Sequence, residues 1–140
     1  NYFIVNEVEA GACFGHSLRY AQGEILLDDV EAAARFLLEQ GVNDAVVIHF
    51  PEGGFGMKAS GEKCFEPSFR VAASEIVSSV GAGDAFCAAM LYALHEELPL
   101  SRALQTANAA ARFNLYNATA TDGAPTLREI EEFLNEKGIK

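Results

Sequence analysis

The chain is poor in basic residues, with 10 Lys and Arg against 20 Asp and Glu and a net charge of −10. Surfaces that hold nucleic acid or an anionic membrane need basic patches, so this balance argues against both partners. Cysteine is scarce and odd in number. Cys13, Cys64 and Cys87 show no C-x-x-C spacing and sit among apolar residues, which reads as reduced core thiols in a cytoplasmic protein. No apolar run is long enough to span a membrane. The opening Asn1-Tyr2-Phe3-Ile4-Val5 lacks the basic n-region of a signal peptide. Internal repeats and low-complexity tracts are absent too. What remains is ordinary for a globular protein: 140 residues, half of them apolar and 21% charged, enough for a single compact domain.

The most informative stretch runs Val77-Ser78-Ser79-Val80-Gly81-Ala82-Gly83-Asp84-Ala85-Phe86. It reads as an apolar lead-in, a turn of small residues, and a helix from Ala85 to His95. Glycine has no Cβ, so an anion can approach the main chain closely there. The first N–H groups of a helix lack internal partners and lie at the positive end of its dipole. A Gly-Ala-Gly turn that opens a helix is therefore a candidate anion site. An acid serving only as a cap would more usually precede the turn. Asp84 follows it, where its carboxylate can face whatever the amides hold. That pairing suits phosphoryl transfer, in which amides stabilise moving charge and a carboxylate deprotonates the attacking hydroxyl. The plainer alternative is a glycine-rich strand-to-helix turn with an acid in its first helical turn.

The rest of the chain follows an α/β rhythm. Tyr2 to Val5 is a short buried strand. Asn6 and Glu9, one helical turn apart, have the spacing of a capping box. Gly15 to Glu24 is a loop or a broken helix, with His16 a surface or capping residue. Asp28 to Gln40 is an amphipathic helix, with Val30, Ala33, Ala34, Leu37 and Leu38 on one face. Ala45 to Phe50 is a continuous apolar run typical of a parallel strand buried on both faces. Pro51 to Gly56 is a loop at that strand's C-terminal end, where such sheets bind ligands. Gly56 to Ala59 and Lys63 to Glu66 form a hairpin turning at Ser60-Gly61, and Phe69 to Val71 is a further strand. Leu100 to Leu115 is a helix capped by Ser101 after Pro99. Ala118 to Ala124 is a polar loop, and Thr126-Leu127-Arg128-Glu129 is a capping box opening the last helix.

Gly81-Ala82-Gly83-Asp84-Ala85-Phe86 resembles the C-terminal signature of the ribokinase-like (PfkB) carbohydrate kinase family. Asn6-Glu7-Val8-Glu9 resembles that family's N-x-x-E motif, and Ala107-Asn108-Ala109-Ala110 and Pro125-Thr126 resemble later segments in the same order. The resemblance covers nearly the whole chain but only the C-terminal half of the family pattern. It implies an α/β fold with a mostly parallel sheet flanked by helices and a small β-hairpin. Its implied function is ATP-dependent phosphorylation of a sugar or sugar-like alcohol. By resemblance, Asp84 is the base, and Gly81, Ala82 and Gly83 form the catalytic turn. Asn6 and Glu9 lie in the outer shell of Mg2+, acting through water. Gly54 and Asn108 approach the nucleotide, and a monovalent cation is a further candidate ligand. The pattern departs at His49, Pro51 and Ser78, where the family has a hydroxyl residue, a glycine and an acid.

Residues 1–140 are therefore expected to be the nucleotide-binding and catalytic part of a longer kinase. Its partners would be a sugar substrate, an N-terminal half or complementary fragment, and a second copy of itself. On that expectation the chain alone is inactive. The alternatives are a vitamin-type kinase acting on hydroxymethylpyrimidine or pyridoxal, a nucleotide-binding module without turnover, and an α/β domain with no nucleotide site.

Overall fold

The computed structural model describes all residues, Asn1–Lys140. The chain divides into two units, residues 1–65 and 66–140.

The first unit contains β1 (Tyr2–Asn6), α1 (Glu7–Phe14), α2 (Leu27–Glu39), β2 (Ala45–Phe50) and β3 (Gly53–Lys58). Strand β4 (Lys63–Pro67) completes a sheet of order β1-β2-β3-β4, and its last two residues belong to the second unit. The sheet is mixed. β1 and β2 are parallel, with Tyr2 opposite Ala45 and Asn6 opposite His49. β2 and β3 are antiparallel, with His49 opposite Gly54 and Phe50 opposite Gly53. Pro51 and Glu52 alone make the turn between them. Gly53 and Gly54 are therefore buried strand residues and not part of a ligand loop as the sequence suggests. The pairing reaches back to the end of β2 because a two-residue turn leaves no slack.

α2 forms where its apolar spacing predicts, with Asp28 and Asp29 in the first turn, where acids favour the dipole. Its Val30, Ala33, Ala34 and Leu37 pack with Val46, Ile48 and Phe50 of β2, Phe55 and Met57 of β3, and Ala10 of α1. Ile48 is fully buried, and truncating it to Ala would cost about 2–5 kcal/mol. Phe50 stacks on Phe65 of β4 with ring centroids 6.0 Å apart. The 15–26 segment is a loop folded on itself, with Leu26 N–H donating to Leu18 O and Tyr20 N–H to Glu24 O.

The second unit is helical: α3 (Ala82–His95), α4 (Leu100–Asn114) and α5 (Leu127–Glu136), preceded by a short 3-10 turn at Ala73–Glu75. α3 packs on α4 and α4 on α5. The buried faces are rich in alanine (Ala89 and Ala93 on α3; Ala103, Ala107 and Ala110 on α4), which lets the helix axes approach closely. Thr126 and Glu129 form the reciprocal cap that the sequence predicts. Two expectations fail. Ser101 lies inside α4, and Pro99 takes the cap position without a side-chain bond. Phe69 to Val71 is not a strand. Phe69 meets Phe133 of α5 edge-on at 4.9 Å, so its apolar bulk is accommodated by a helix and not by sheet pairing.

The cysteines also differ from expectation. Cys13 is exposed on α1, and Cys64 and Cys87 are half-buried, so none is a core thiol. No helix is long and apolar enough to cross a membrane.

Candidate functional site

α3 begins three residues earlier than its composition indicates, so Ala82, Gly83 and Asp84 are its first turn. Gly81 takes the cap position with φ 83°, a left-handed conformation open to glycine and costly for other residues. Ala85 N–H closes the first turn on Gly81 O at 2.9 Å. Ala82 N–H makes a long bond, 3.3 Å, to Ser79 O. Gly83 and Asp84 contribute the N–H groups between these two, among the first four that a helix cannot satisfy internally. The side chain of Asp84 is exposed in this same turn. Cys87 lies one turn further along, and burial, then the Asp84 carboxylate, push its thiol pKa up. An exposed acid beside amide donors, opening a 14-residue helix, can hold an anion and take a proton from a group attacking it.

The lead-in to this turn is fastened to the end of α4. Val77 N–H donates to Leu115 O at 2.9 Å, and Ser78 N–H reaches the same carbonyl at 3.4 Å. The Ser78 hydroxyl accepts from Val80 N–H at 3.1 Å. Asn108 is buried on α4, and its Nδ2 donates to Glu66 O and Pro67 O at 3.0 and 3.2 Å. Both protons of that amide are thus spent on backbone carbonyls.

In the first unit, Asn6 and Glu9 form a complete capping box. Asn6 Oδ1 accepts from Val8 N–H and Glu9 N–H at 3.0 and 2.8 Å, and Glu9 Oε2 accepts from Asn6 N–H at 3.0 Å. A carboxylate has about four acceptor sites and this cap occupies one, so a hydrated cation can still be held through water. Asn6, His49 and Gly54 are register neighbours across three strands, forming a row at the C-terminal end of the parallel pair. No cluster of three or more His, Cys, Asp or Glu side chains has the geometry of a metal cage. A cation that keeps most of its water does not need one.

Arg19 is a further residue of this region that no motif in the sequence marks. Its Nε and Nη2 donate to Glu7 Oε1 at 3.0 and 2.8 Å, while Nη1 and Nη2 donate to the two oxygens of Glu52 at 2.7 and 2.9 Å. Nη1 also reaches Gly23 O at 2.7 Å. One guanidinium thus ties the 15–26 loop to the first turn of α1 and to the β2–β3 turn. The Glu52 bond raises the Arg19 pKa far above its usual range, and the Arg19 bond holds Glu52 below its own. The only local hint was an arginine inside a loop.

Comparison with known proteins gives one consistent picture. The model of the pfkB family carbohydrate kinases matches residues 1–127. The chain is 29% identical over 108 residues to a 5-dehydro-2-deoxygluconokinase of Geobacillus kaustophilus, covering 77% of this chain and 31% of that protein. The crystal structure of a ribokinase from Thermotoga maritima superposes with TM-score 0.75 at 30% identity, covering 96% of this chain and 42% of the other. A putative ribokinase II from E. coli, solved in complex with ATP and Mg2+, gives TM-score 0.77 at 27% identity, with 96% and 39% covered. The chain thus spans about a third of the length of the curated relatives it matches.

Proposed function

The chain belongs to the PfkB family of carbohydrate kinases, and from that premise we propose that it is the nucleotide-binding and catalytic part of an ATP-dependent kinase acting on a hydroxyl of a sugar or sugar-like alcohol. The observation that carries this reading is the start of α3, where a left-handed Gly81 opens onto the amides of Gly83 and Asp84 beside an exposed carboxylate.

In the proposed reaction, the acceptor oxygen bonds to the γ-phosphorus while the bond to the ADP oxygen breaks. Asp84 takes the acceptor's proton. The Gly83 and Asp84 amides stabilise the charge on the transferring group, and Ala82 N–H joins them by giving up its long bond to Ser79. Mg2+, when bound, neutralises phosphate charge. Asn6 and Glu9 would hold its water shell while keeping the α1 cap. Asn108 is proposed to line the nucleotide side of α4 through its position and not through its amide protons, which are already engaged. No nucleotide role is assigned to Gly54, which lies buried in β3.

One observation supports a role shared with further chain: the 108 matched residues span 31% of the gluconokinase. β1 and β4 are the open edges of the sheet. An open strand edge invites pairing. The isolated 140 residues are therefore expected to self-associate and to lack ordinary turnover, because acceptor and phosphate must be held in line and shielded from water.

The test is ADP release by the full-length protein with MgATP across pentoses, hexoses, ketodeoxy acids and nucleosides. Turnover on one of these classes supports the reading. MgATP binding without turnover on any of them would favour a nucleotide-binding module instead.

A further inference from the structure

Asn114, the last residue of α4, is fully buried. Its Nδ2 donates to the carbonyl of Val80, the residue before Gly81, at 2.7 Å. Its Oδ1 has no hydrogen-bond partner in the protein. The orientation follows from the neighbours, since the flipped amide would press Oδ1 against the Val80 carbonyl. A buried acceptor left unpaired is unfavourable, and an apolar side chain of similar size would avoid that penalty. Packing alone therefore does not account for an amide here. What the amide achieves is the bond to Val80.

That bond belongs to a larger attachment. Leu115 O, one residue on, accepts from Val77 N–H and Ser78 N–H. The Ala120 backbone lies against Gly81, so closely that a Cβ on Gly81 would fall 2.7 Å from Ala120 O. The end of α4 and the loop after it thus back the segment 77–81, and the first-turn amides of α3 follow directly from it. Within this attachment the Asn114–Val80 bond is the side-chain hydrogen bond, and it is anchored in the buried core.

We propose that Asn114 is a positioning residue for the phosphate-binding turn: by holding the Val80 carbonyl it fixes the direction in which the Gly83 and Asp84 amides point. It does not touch the nucleotide. The proposal rests on the reading of Gly81–Asp84 as the phosphate site, and the experiment separates the two claims.

Asn114→Leu and Asn114→Ser are made in the full-length protein. Each is measured for melting temperature, for amide hydrogen exchange over residues 77–86 without ligand, and for MgATP affinity. The leucine removes both the bond and the unpaired oxygen. The serine removes the amide while leaving room for water, and it decides the matter if the leucine variant fails to fold. The expected result is a melting temperature at or near wild type, faster exchange confined to 77–86, and an MgATP Kd raised about tenfold with the sugar KM unchanged. Wild-type exchange and wild-type Kd in a folded variant would overturn the proposal. So would a lowered melting temperature with an unchanged Kd, which is the signature of a purely structural residue. A wild-type protein that does not bind MgATP would remove the phosphate-site reading itself. Unchanged exchange alongside tight wild-type binding would remove only the tether.

Discussion

Gly81 and Ala120 are in closer contact than any pair of side-chain-bearing residues could sustain. A Cβ placed on Gly81 would collide with Ala120 Cα and lie 2.7 Å from its Cβ. The glycine is therefore required twice, by the neighbouring backbone and by its φ of 83°. Gly81→Ala should destabilise the protein by roughly 2 kcal/mol or more, combining left-handed strain with displacement of the 117–124 loop. The urea midpoint should fall with little change in slope. A loss below about 0.5 kcal/mol would mean that the loop yields freely and is no support for the turn.

The Arg19 tether makes a prediction with a pH signature. Arg19→Met should cost roughly 2 kcal/mol near neutral pH, because Glu7 would lose its charged partner in a site where its side chain is only 12% exposed. Glu52 is held below its ordinary value of 4.5 by Arg19. A depressed carboxylate stabilises the fold above its unfolded pKa and loses that contribution as pH falls through the folded value. The Glu52 share of the gap between wild type and Arg19→Met should therefore be present at pH 7 and fade as pH drops below 4.5. Glu52 itself is half exposed, so its share of the effect is small. Denaturant titrations of both proteins along a pH series check this. Equal stability of the two proteins at pH 7 would contradict the tether.

Elements that depend on local spacing were legible in the sequence. The apolar face of α2, the continuous run of β2 and the Thr126–Glu129 cap all declare themselves within a few residues, and so does the helix after Gly-x-Gly-Asp, although it starts at Ala82 and not at Ala85. The misreadings have non-local causes. Phe69 looked like a strand residue because its apolar character was visible while its partner, Phe133, lies far away in sequence. Gly53 and Gly54 looked like loop because glycine breaks patterns. Only the register with Phe50 and His49 makes them strand. Arg19 bonds to residues 12 and 33 positions away, so no window around it reveals the role. Asn114 is similar, with its carbonyl partner 34 positions off. Asn6 and Glu9 show the reverse difficulty. The capping box that their spacing describes is fully formed, and it leaves acceptor sites on the Glu9 carboxylate open to a hydrated cation.

Glu9→Gln separates those two roles. Glutamine keeps an acceptor for Asn6 N–H, since Gln serves in capping boxes as Glu does, but it removes the charge. The variant should melt within about 0.5 kcal/mol of wild type. Its magnesium concentration for half-maximal rate should rise severalfold. If magnesium dependence is unchanged, Asn6 and Glu9 do no more than start α1.

The central claim is that Asp84 takes the acceptor's proton, and turnover of Asp84→Asn in the full-length protein tests it most directly. Asparagine is close in shape and keeps the turn, but it cannot act as the base. With a sugar substrate in hand, kcat should fall by more than about 100-fold, while the MgATP Kd stays within about twofold of wild type, because a base acts in the transition state and not in ground-state binding. Retention of more than about a tenth of wild-type kcat, a barrier change under ~1.4 kcal/mol, would contradict the assignment.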